Sequence, residues 1–331
     1  MKDINTISRV EITHSPTPLE SMPGLSLTLG YKLFVKRDDC TGLAGGGNKT
    51  RKLEYLLAAA RDAGADTLVT IGGLQSNHAR QTAAAAAKFG FACELVLEDV
   101  EGTPKEDYYD NGNILLDKLF GATIHLVGEG EDSQAFSHQL MTVLAEEGKS
   151  PYFIPVGGSN EIGSLGYVRC ANEILEQMAE QGIELDQIVL ASGSAGTQAG
   201  LLAGLIAANS SIPVVGISIS RDAEAQHLLV ENLLDKTLCL MGLDPELAKG
   251  RVLICGDYVG DGYGITTPGT IEAVKMAAQF EGLLLDPVYT GKGMSGLIDM
   301  CRTKVFEKNH NILFLHTGGS QALFAYREVL T

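Results

Sequence analysis

Apolar positions along this chain alternate between two periods. Short runs dense in β-branched and aliphatic residues end in glycine or small polar residues. They are "YKLFVKRDD" from Tyr31, "DTLVTIGG" (Asp66 to Gly73), "FACELVLE" (Phe91 to Glu98), "TIHLVG", "PYFIPVGGSN", "QIVLAS" from Gln187, "PVVGISIS", and "NILFLHTGGS" near the C-terminus. "LLLDPVYTGKG" has the same character and is expected to be a strand and loop. Between them lie segments with apolar residues at helical spacing. These are Thr50 to Gly64, the Ala-rich Asn77 to Gly90, "NGNILLDKLFGA", Phe136 to Glu147, "GYVRCANEILEQMAEQG", the segment after "SGSAGT", and "TIEAVKMAAQFEG". Strand alternating with helix predicts parallel sheets covered by helices, an α/β fold. Ligand sites in such folds lie at the carboxyl ends of strands. Glycine-rich turns after Val69, Pro155, Leu190, Pro287 and Phe314 are expected there. No internal repeat or low-complexity linker divides the chain. "EDVEGTPKEDYYD" and "GEGEDSQ" are expected to be its least ordered stretches.

Composition narrows the function classes. The chain has 331 residues, 45% hydrophobic, with a net charge of -16. That length suits one large α/β unit or two domains, and the acidity argues against nucleic acid as a partner. The six cysteines have no CxxC spacing, which predicts free thiols in a reducing cytoplasm and no metal site. The first twenty residues hold no apolar signal core, and no uncharged apolar run reaches the ~18 residues of a membrane span.

Three loops carry candidate chemistry. In "VLASGSAGTQAGLLAGL" the residues from Ser192 to Thr197 are all small or hydroxylic and precede a helix. Backbone N–H groups at such a helix start bind phosphate, with hydroxyls such as Ser194 and Thr197 as further donors. A plain tight turn also favours such residues, but six in succession exceed what a turn needs. The loop lacks the G-K-[ST] of a nucleotide P-loop and the G-x-G-x-x-G spacing of a dinucleotide site, so a monophosphate is expected. In "AGGGNKTRKLEYLL" three basic residues, Lys49, Arg51 and Lys52, open a helix, where the dipole disfavours cations. They are either an exposed basic patch or a functional group. A lysine facing a phosphate site suggests imine formation with pyridoxal phosphate, favoured when neighbouring cations such as Arg51 and Lys52 lower its pKa. In "GLQSNHARQ", Gln75, Ser76, Asn77 and His78 at a strand-to-helix turn offer donors to a small carboxylate. His78 itself is read first as a capping or core histidine, His316 as structural, and Glu281 and Asp286 as solvated or capping groups.

Together "GGGNKTRKLE", "QSNHARQ", "SGSAGTQAG", "DPVYTGKGMSGL" and "HTGG" resemble, in order and over nearly the whole chain, the pyridoxal-phosphate enzymes of the tryptophan-synthase-β type (fold type II). Within them the chain is similar to the group of D-cysteine desulfhydrase, L-cysteate sulfo-lyase and 1-aminocyclopropane-1-carboxylate deaminase. The resemblance implies two three-layer domains with open, twisted, mostly parallel sheets. The larger would take residues 1–48 with 155–331 and the smaller 49–154, in a homodimer. It implies that Lys49 is the Schiff-base lysine and the base at Cα, and that Lys52 lies near the phosphate. Ser194, Ala195, Gly196 and Thr197 would cradle the phosphate, Asn77 would bond the phenolic oxygen, and Thr317 would face the pyridine nitrogen. Gln75, Ser76, Asn77 and His78 would hold the substrate carboxylate, with Tyr263 and Tyr289 flanking the amino acid.

The deaminase branch carries Tyr-Glu where this chain has Tyr289-Thr290, and Leu at Thr317. That departure implies β-elimination of a thiol-like group. The expected reaction is cleavage of D-cysteine to pyruvate, ammonia and hydrogen sulfide. L-cysteate cleavage releasing sulfite is the alternative, since a sulfonate would need more donors and these loops show no extra arginine. The deaminase reaction and a ligand-binding relative without chemistry are more distant alternatives.

Overall fold

The structure is a computed structural model and describes residues 4–100, 102–103, 106–128 and 131–330. In chain order it places β1 (Leu19–Ser21), α1 (Pro23–Leu29), β2 (Lys32–Arg37), α2 (Lys49–Asp62), β3 (Thr67–Gly73), α3 (Asn77–Phe89) and β4 (Ala92–Glu98). Then come α4 (Asn113–Leu119), β5 (Thr123–Val127), α5 (Ser133–Glu146), β6 (Pro151–Ile154), α6 (Glu161–Gln181), β7 (Gln187–Ser192) and α7 (Gly196–Ala207). The chain continues through β8 (Val214–Ser218), α8 (Ala223–Met241), β9 (Val252–Cys255), α9 (Pro268–Glu281), α10 (Thr290–Arg302) and β10 (Asn311–His316).

The strands form two sheets, β1-β2-β10-β7-β8-β9 and β5-β4-β3-β6. Among the described residues only β1 runs antiparallel to its neighbour, and the other pairings are parallel. The second sheet uses one continuous stretch of chain, and the first takes strands from before and after it. The carboxyl ends of β3, β7 and β10 are followed by the Asn77, Ser194 and Thr317 loops.

Local chemistry explains most element ends. Ser76 caps α3 by accepting a hydrogen bond from Ala79 N, and Gly90 closes it at φ 79°. Asp222 and Gly242 bracket α8 in the same way. "LLLDPVYTGKG" departs from the expected strand. From the Gly282 cap of α9 the chain runs unpaired to Asp286. The Asp286 carboxylate then accepts from Val288 N, Tyr289 N and Thr290 N, which turns the chain into α10. Pro287 therefore follows no strand. Asp286 is fully buried, so its capping expectation holds and its solvated one does not. Glu281 also caps, accepting from Leu25 N in α1. Residues 101, 104–105 and 129–130 of the two stretches expected to be least ordered lie outside the described residues. Of the rest, 106–110 form turns and Ser133 opens α5.

One buried charge cluster joins α2 to the larger sheet. Arg51 donates to both oxygens of Asp38 at 2.8 Å and to Glu173 on α6. Asp38 also accepts from Tyr167 OH at 2.6 Å and Thr17 Oγ1 at 2.8 Å. α6 lies so close to α2 that a Cβ on Gly166 would stand 2.3 Å from Arg51 O. Arg51 is thus structural, and the exposed basic patch is ruled out: Lys49, Arg51 and Lys52 are all buried.

Burial alone would raise the Asp38 carboxyl, but Arg51 and Lys36 outweigh it and hold it below the ordinary carboxylate range. Its contribution to stability is complete above the unfolded value of about 4 and is lost as pH falls through the lower folded value. Arg51→Met strands the buried Asp38 charge and is expected to cost about 3–5 kcal/mol. A thermal midpoint equal to that of the parent protein would contradict this.

Candidate active site

The glycine loop before α2 ends in Asn48 and Lys49, and it is held from two sides. Asn48 N donates to Thr317 O at 3.0 Å, and Asn48 Nδ2 donates to Thr197 Oγ1 at 3.0 Å. Lys49 N donates to Gln81 Oε1 at 2.9 Å, and Lys49 Nζ donates to Asn48 Oδ1 at 2.9 Å. The ammonium lies 5.9 Å from the centre of the Tyr289 ring. Burial lowers the Lys49 amine to about 8, with Arg80 adding to the shift and Asp286 opposing it. The lowering cation is therefore Arg80, and Arg51, expected in that role, is spent on Asp38.

The phosphate loop is tighter than its sequence suggested. Ala195 adopts φ 71°, and α7 begins at Gly196. Ser194 Oγ lies 2.8 Å from Ser159 Oγ. Lys52 Nζ donates to Ser159 Oγ and to Gly157 O, both at 3.0 Å. A Cβ on Gly196 would stand 3.0 Å from Lys52 Nζ and 2.7 Å from Ser159 Oγ, so only glycine leaves the space open. Burial, with Lys49 nearby, drives the Lys52 amine well below its ordinary value. Helix-start N–H groups, two serines and this ammonium could hold a phosphate.

Two adjoining cavities share Lys49, Gly193, Ser194 and Tyr289. The smaller is lined also by Asn77, Ala195, Thr197 and Thr317. The larger, about 500 Å³, is bounded by Ser76, His78, Tyr263 and Arg221 among others. That volume is within the usual range for small-molecule sites, about 300–1,000 Å³. The Tyr263 and Tyr289 hydroxyls bond each other, and their rings meet edge to face at 5.8 Å. Burial pushes the Tyr263 phenol up to about 12 and the Tyr289 phenol well above its ordinary value, so both keep their protons at neutral pH.

Not every expected residue faces this space. Gln75 spends its amide nitrogen on Tyr108 O and Asn111 O, and its carbonyl on Asn113 N, which ties it to the 108–113 turn instead. Thr290 turns away too: its hydroxyl donates to Asp286 Oδ1 at 2.7 Å and does not stand in for a carboxylate at the cofactor ring. His78 is both things expected of it, a core histidine and a cleft residue. Thr70 Oγ1 donates to Ile154 O, so His78 Nε2 carries the proton it gives to Thr70, and Nδ1 is left without a partner. Burial, then Lys49 and Lys52, keeps the ring neutral by driving its pKa well down. His316 ends β10, buried, with Gly318 N donating to Nδ1.

The residue that sequence reasoning missed is Arg80. It is fully buried and donates to Asn77 Oδ1 (3.1 Å), Asn113 Oδ1 (2.9 Å), Gln321 Oε1 (2.5 Å) and Gly46 O (2.8 Å). Asn113 Nδ2 also donates to Asn77 Oδ1. With its carbonyl so held, Asn77 lines the smaller cavity with its amide nitrogen not used in these bonds. Arg221 and Ser159 were missed as well. The motif "SNHAR" contained one signal, a single arginine on the first turn of an Ala-rich helix.

A family model of the pyridoxal-phosphate dependent enzymes matches residues 10–318, and the chain belongs to that family; its cofactor is pyridoxal phosphate. It is 46% identical to D-cysteine desulfhydrase of Klebsiella pneumoniae subsp. pneumoniae over 326 residues, 98% of either chain. A crystal structure described as an ACC deaminase homologue superposes with a TM-score of 0.89 at 39% identity, covering 99% of this chain and 96% of that one. A fungal L-serine ammonia-lyase from Rhizomucor miehei, 17% identical, shares the fold with a TM-score of 0.67 over 97% of this chain and all of its own. These matches and the two parallel sheets bear out the expected fold class. Among the described residues no helix is long and apolar enough to cross a membrane.

Arg80→Met removes a cation that lowers Lys49. The pH midpoint for recombination of apoprotein with pyridoxal phosphate, which needs the neutral amine, is expected to rise above that of the parent protein. A midpoint that stays or falls would show that Arg80 does not act on Lys49.

Proposed function

We propose that this protein is a carbon–sulfur lyase that converts D-cysteine and water to pyruvate, ammonia and hydrogen sulfide. The observation that carries the chemistry is Lys49, a buried amine lowered to about 8 that opens onto both cavities. Identity of 46% to a D-cysteine desulfhydrase along the whole chain supports the choice of substrate.

The residues present fit the cofactor. Lys52, Ser194, Thr197 and the N–H groups at the start of α7 supply donors for a phosphate beside the open space at Gly196. The Asn77 amide would donate to the phenolic oxygen and the Thr317 hydroxyl would meet the ring nitrogen, with Lys49 holding the aldehyde carbon. Bound there, pyridoxal phosphate draws electrons from Cα so that the β-substituent can leave. The chain's own work is placement and proton transfer. Ser76 and the N-terminus of α3 bind the substrate carboxylate. Lys49 Nζ takes the Cα proton, which a neutral amine can do and an ammonium cannot. Tyr263 and Tyr289, both protonated, stand where one of them can give a proton to the departing sulfur.

One observation bears on L-cysteate. Arg221 lines the larger cavity, so the cation that a sulfonate needs is present, although its NH1 already donates to Gly193 O at 3.2 Å. We further propose the domain division 1–48 with 155–331 and 49–154, which the sheet connectivity supports. A cytoplasmic homodimer is supported by six free cysteines and by the exposed Leu284 and Phe324 in one groove.

The test is 2-oxoacid release from D-cysteine, L-cysteine, L-cysteate, D-serine and 1-aminocyclopropane-1-carboxylate, each at equal concentration. D-cysteine is expected to turn over fastest. Sulfite release from L-cysteate at a higher kcat/KM would transfer the assignment to the sulfo-lyase. Lys49→Ala is expected to lower turnover about 10²–10⁴-fold, the usual range for a general base, and to abolish the visible band of the loaded protein.

A further inference from the structure

Lys292, in the motif "DPVYTGKGMSGL", has a geometry that none of the assignments above uses. It is the third residue of α10 and is fully buried. Its ammonium donates to Val259 O and Gly262 O, each at 2.7 Å, and to Ile219 O at 3.3 Å. Three donors thus meet three main-chain carbonyls, which satisfies the ammonium completely. A guanidinium would not match such a convergent set, because its donors lie in one plane and point apart.

One of the three carbonyls belongs to a residue that lines the larger cavity, and the other two flank the approach to Tyr263, which also lines it. Ile219 follows β8 and itself lines the cleft. Val259 and Gly262 belong to the 256–267 connection between β9 and α9, which has no regular structure and carries Tyr263. Gly260, Gly262 and Gly264 in that connection all adopt positive φ, so little in its own backbone holds it rigid. Besides Lys292 it is tied by Tyr326 OH, which donates to Gly264 O at 2.8 Å, and by its own Tyr258 OH, which donates to Asp299 Oδ2 on α10 at 2.7 Å; neither tie reaches Val259 or Gly262. Lys292 lies one helical turn beyond Tyr289, and so braces the two partners of the tyrosine pair against each other.

We propose that Lys292 is a positioning residue: its ammonium gathers the carbonyls of Ile219, Val259 and Gly262 and thereby holds Tyr263 over the cleft beside Tyr289. This rests on the reading that Tyr263 serves the bound amino acid. Truncating the side chain leaves three converging carbonyls and a space that a small free ammonium can enter. Losing a tie of this kind should free the 256–267 connection and leave β10 and the phosphate loop as they are.

The experiment compares the full-length, cofactor-loaded parent with Lys292→Ala, with and without added methylammonium. Two quantities are read: hydrogen exchange across 256–267 and turnover of D-cysteine. Exchange there is expected to rise at least tenfold in the variant, with β10 unchanged, and turnover to fall at least tenfold. Methylammonium should reverse both in part, by threefold or more, and should not affect the parent. Tyr263→Phe with Lys292→Ala should be no more than twofold slower than Tyr263→Phe alone, because the lysine acts through the tyrosine. Unchanged exchange, no response to methylammonium, or losses that multiply in the double variant would each overturn the proposal. If Lys292→Ala does not fold, Lys292→Met is read for exchange and for coupling to Tyr263→Phe, and failure of both to fold overturns it as well. If D-cysteine is not a substrate, exchange and its reversal by methylammonium still decide the role of Lys292, so the two readings fail separately.

Discussion

A buried guanidinium bonded only to neutral carbonyl oxygens organises this site. Arg80 reaches the glycine loop through Gly46 O, the start of α3 through Asn77, the start of α4 through Asn113, and the turn after β10 through Gln321. Hydrogen bonds to a charged group are worth about 1.5–3 kcal/mol each, so four of them fix these segments more firmly than van der Waals contact would. The same charge also acts over a distance. Because no carboxylate bonds to it, its field reaches Lys49 and helps to keep that amine near neutrality. Asp117, buried nearby, is itself raised to about 8 by burial and so does little to cancel the charge at neutral pH.

Two further buried cations divide the remaining work. Arg51 is matched with Asp38 and Glu173 and sets the position of α2. Lys52, one residue on, has only Gly157 O and Ser159 Oγ and lacks an anion, which suits the N-terminus of α7 to a phosphate. The motif that looked like misplaced basic residues in an acidic chain therefore resolves by partner. The cation with carboxylates is structural, and the two without are chemical.

Much of this was legible in the sequence because each signal was local. The turn after β7 had six small residues, the turn after β3 had a serine cap, and the glycines before Lys49 marked close backbone approach. What was not legible depends on distance across the fold. Gln75 sat beside Ser76 and Asn77 in sequence, yet its amide is used by a turn more than thirty residues away. Thr290 was next to Tyr289, yet Asp286 claimed its hydroxyl, because the same carboxylate caps α10 and so ended the expected strand. α8 and β9 were overlooked although Asp222 and Gly242 bracket the helix, and with them went Arg221 and Leu229 on the cleft wall.

The account turns on which of three buried lysines with lowered amines bears the cofactor. Lys49, Lys52 and Lys292 all have amines lowered by burial, so reactivity alone does not separate them. Borohydride reduction of the loaded protein fixes a pyridoxyl group to whichever lysine carries it, and peptide mass mapping locates it. The account predicts one pyridoxyl group per chain, on Lys49. A pyridoxyl group on Lys52 or Lys292, or on no lysine at all, would contradict it.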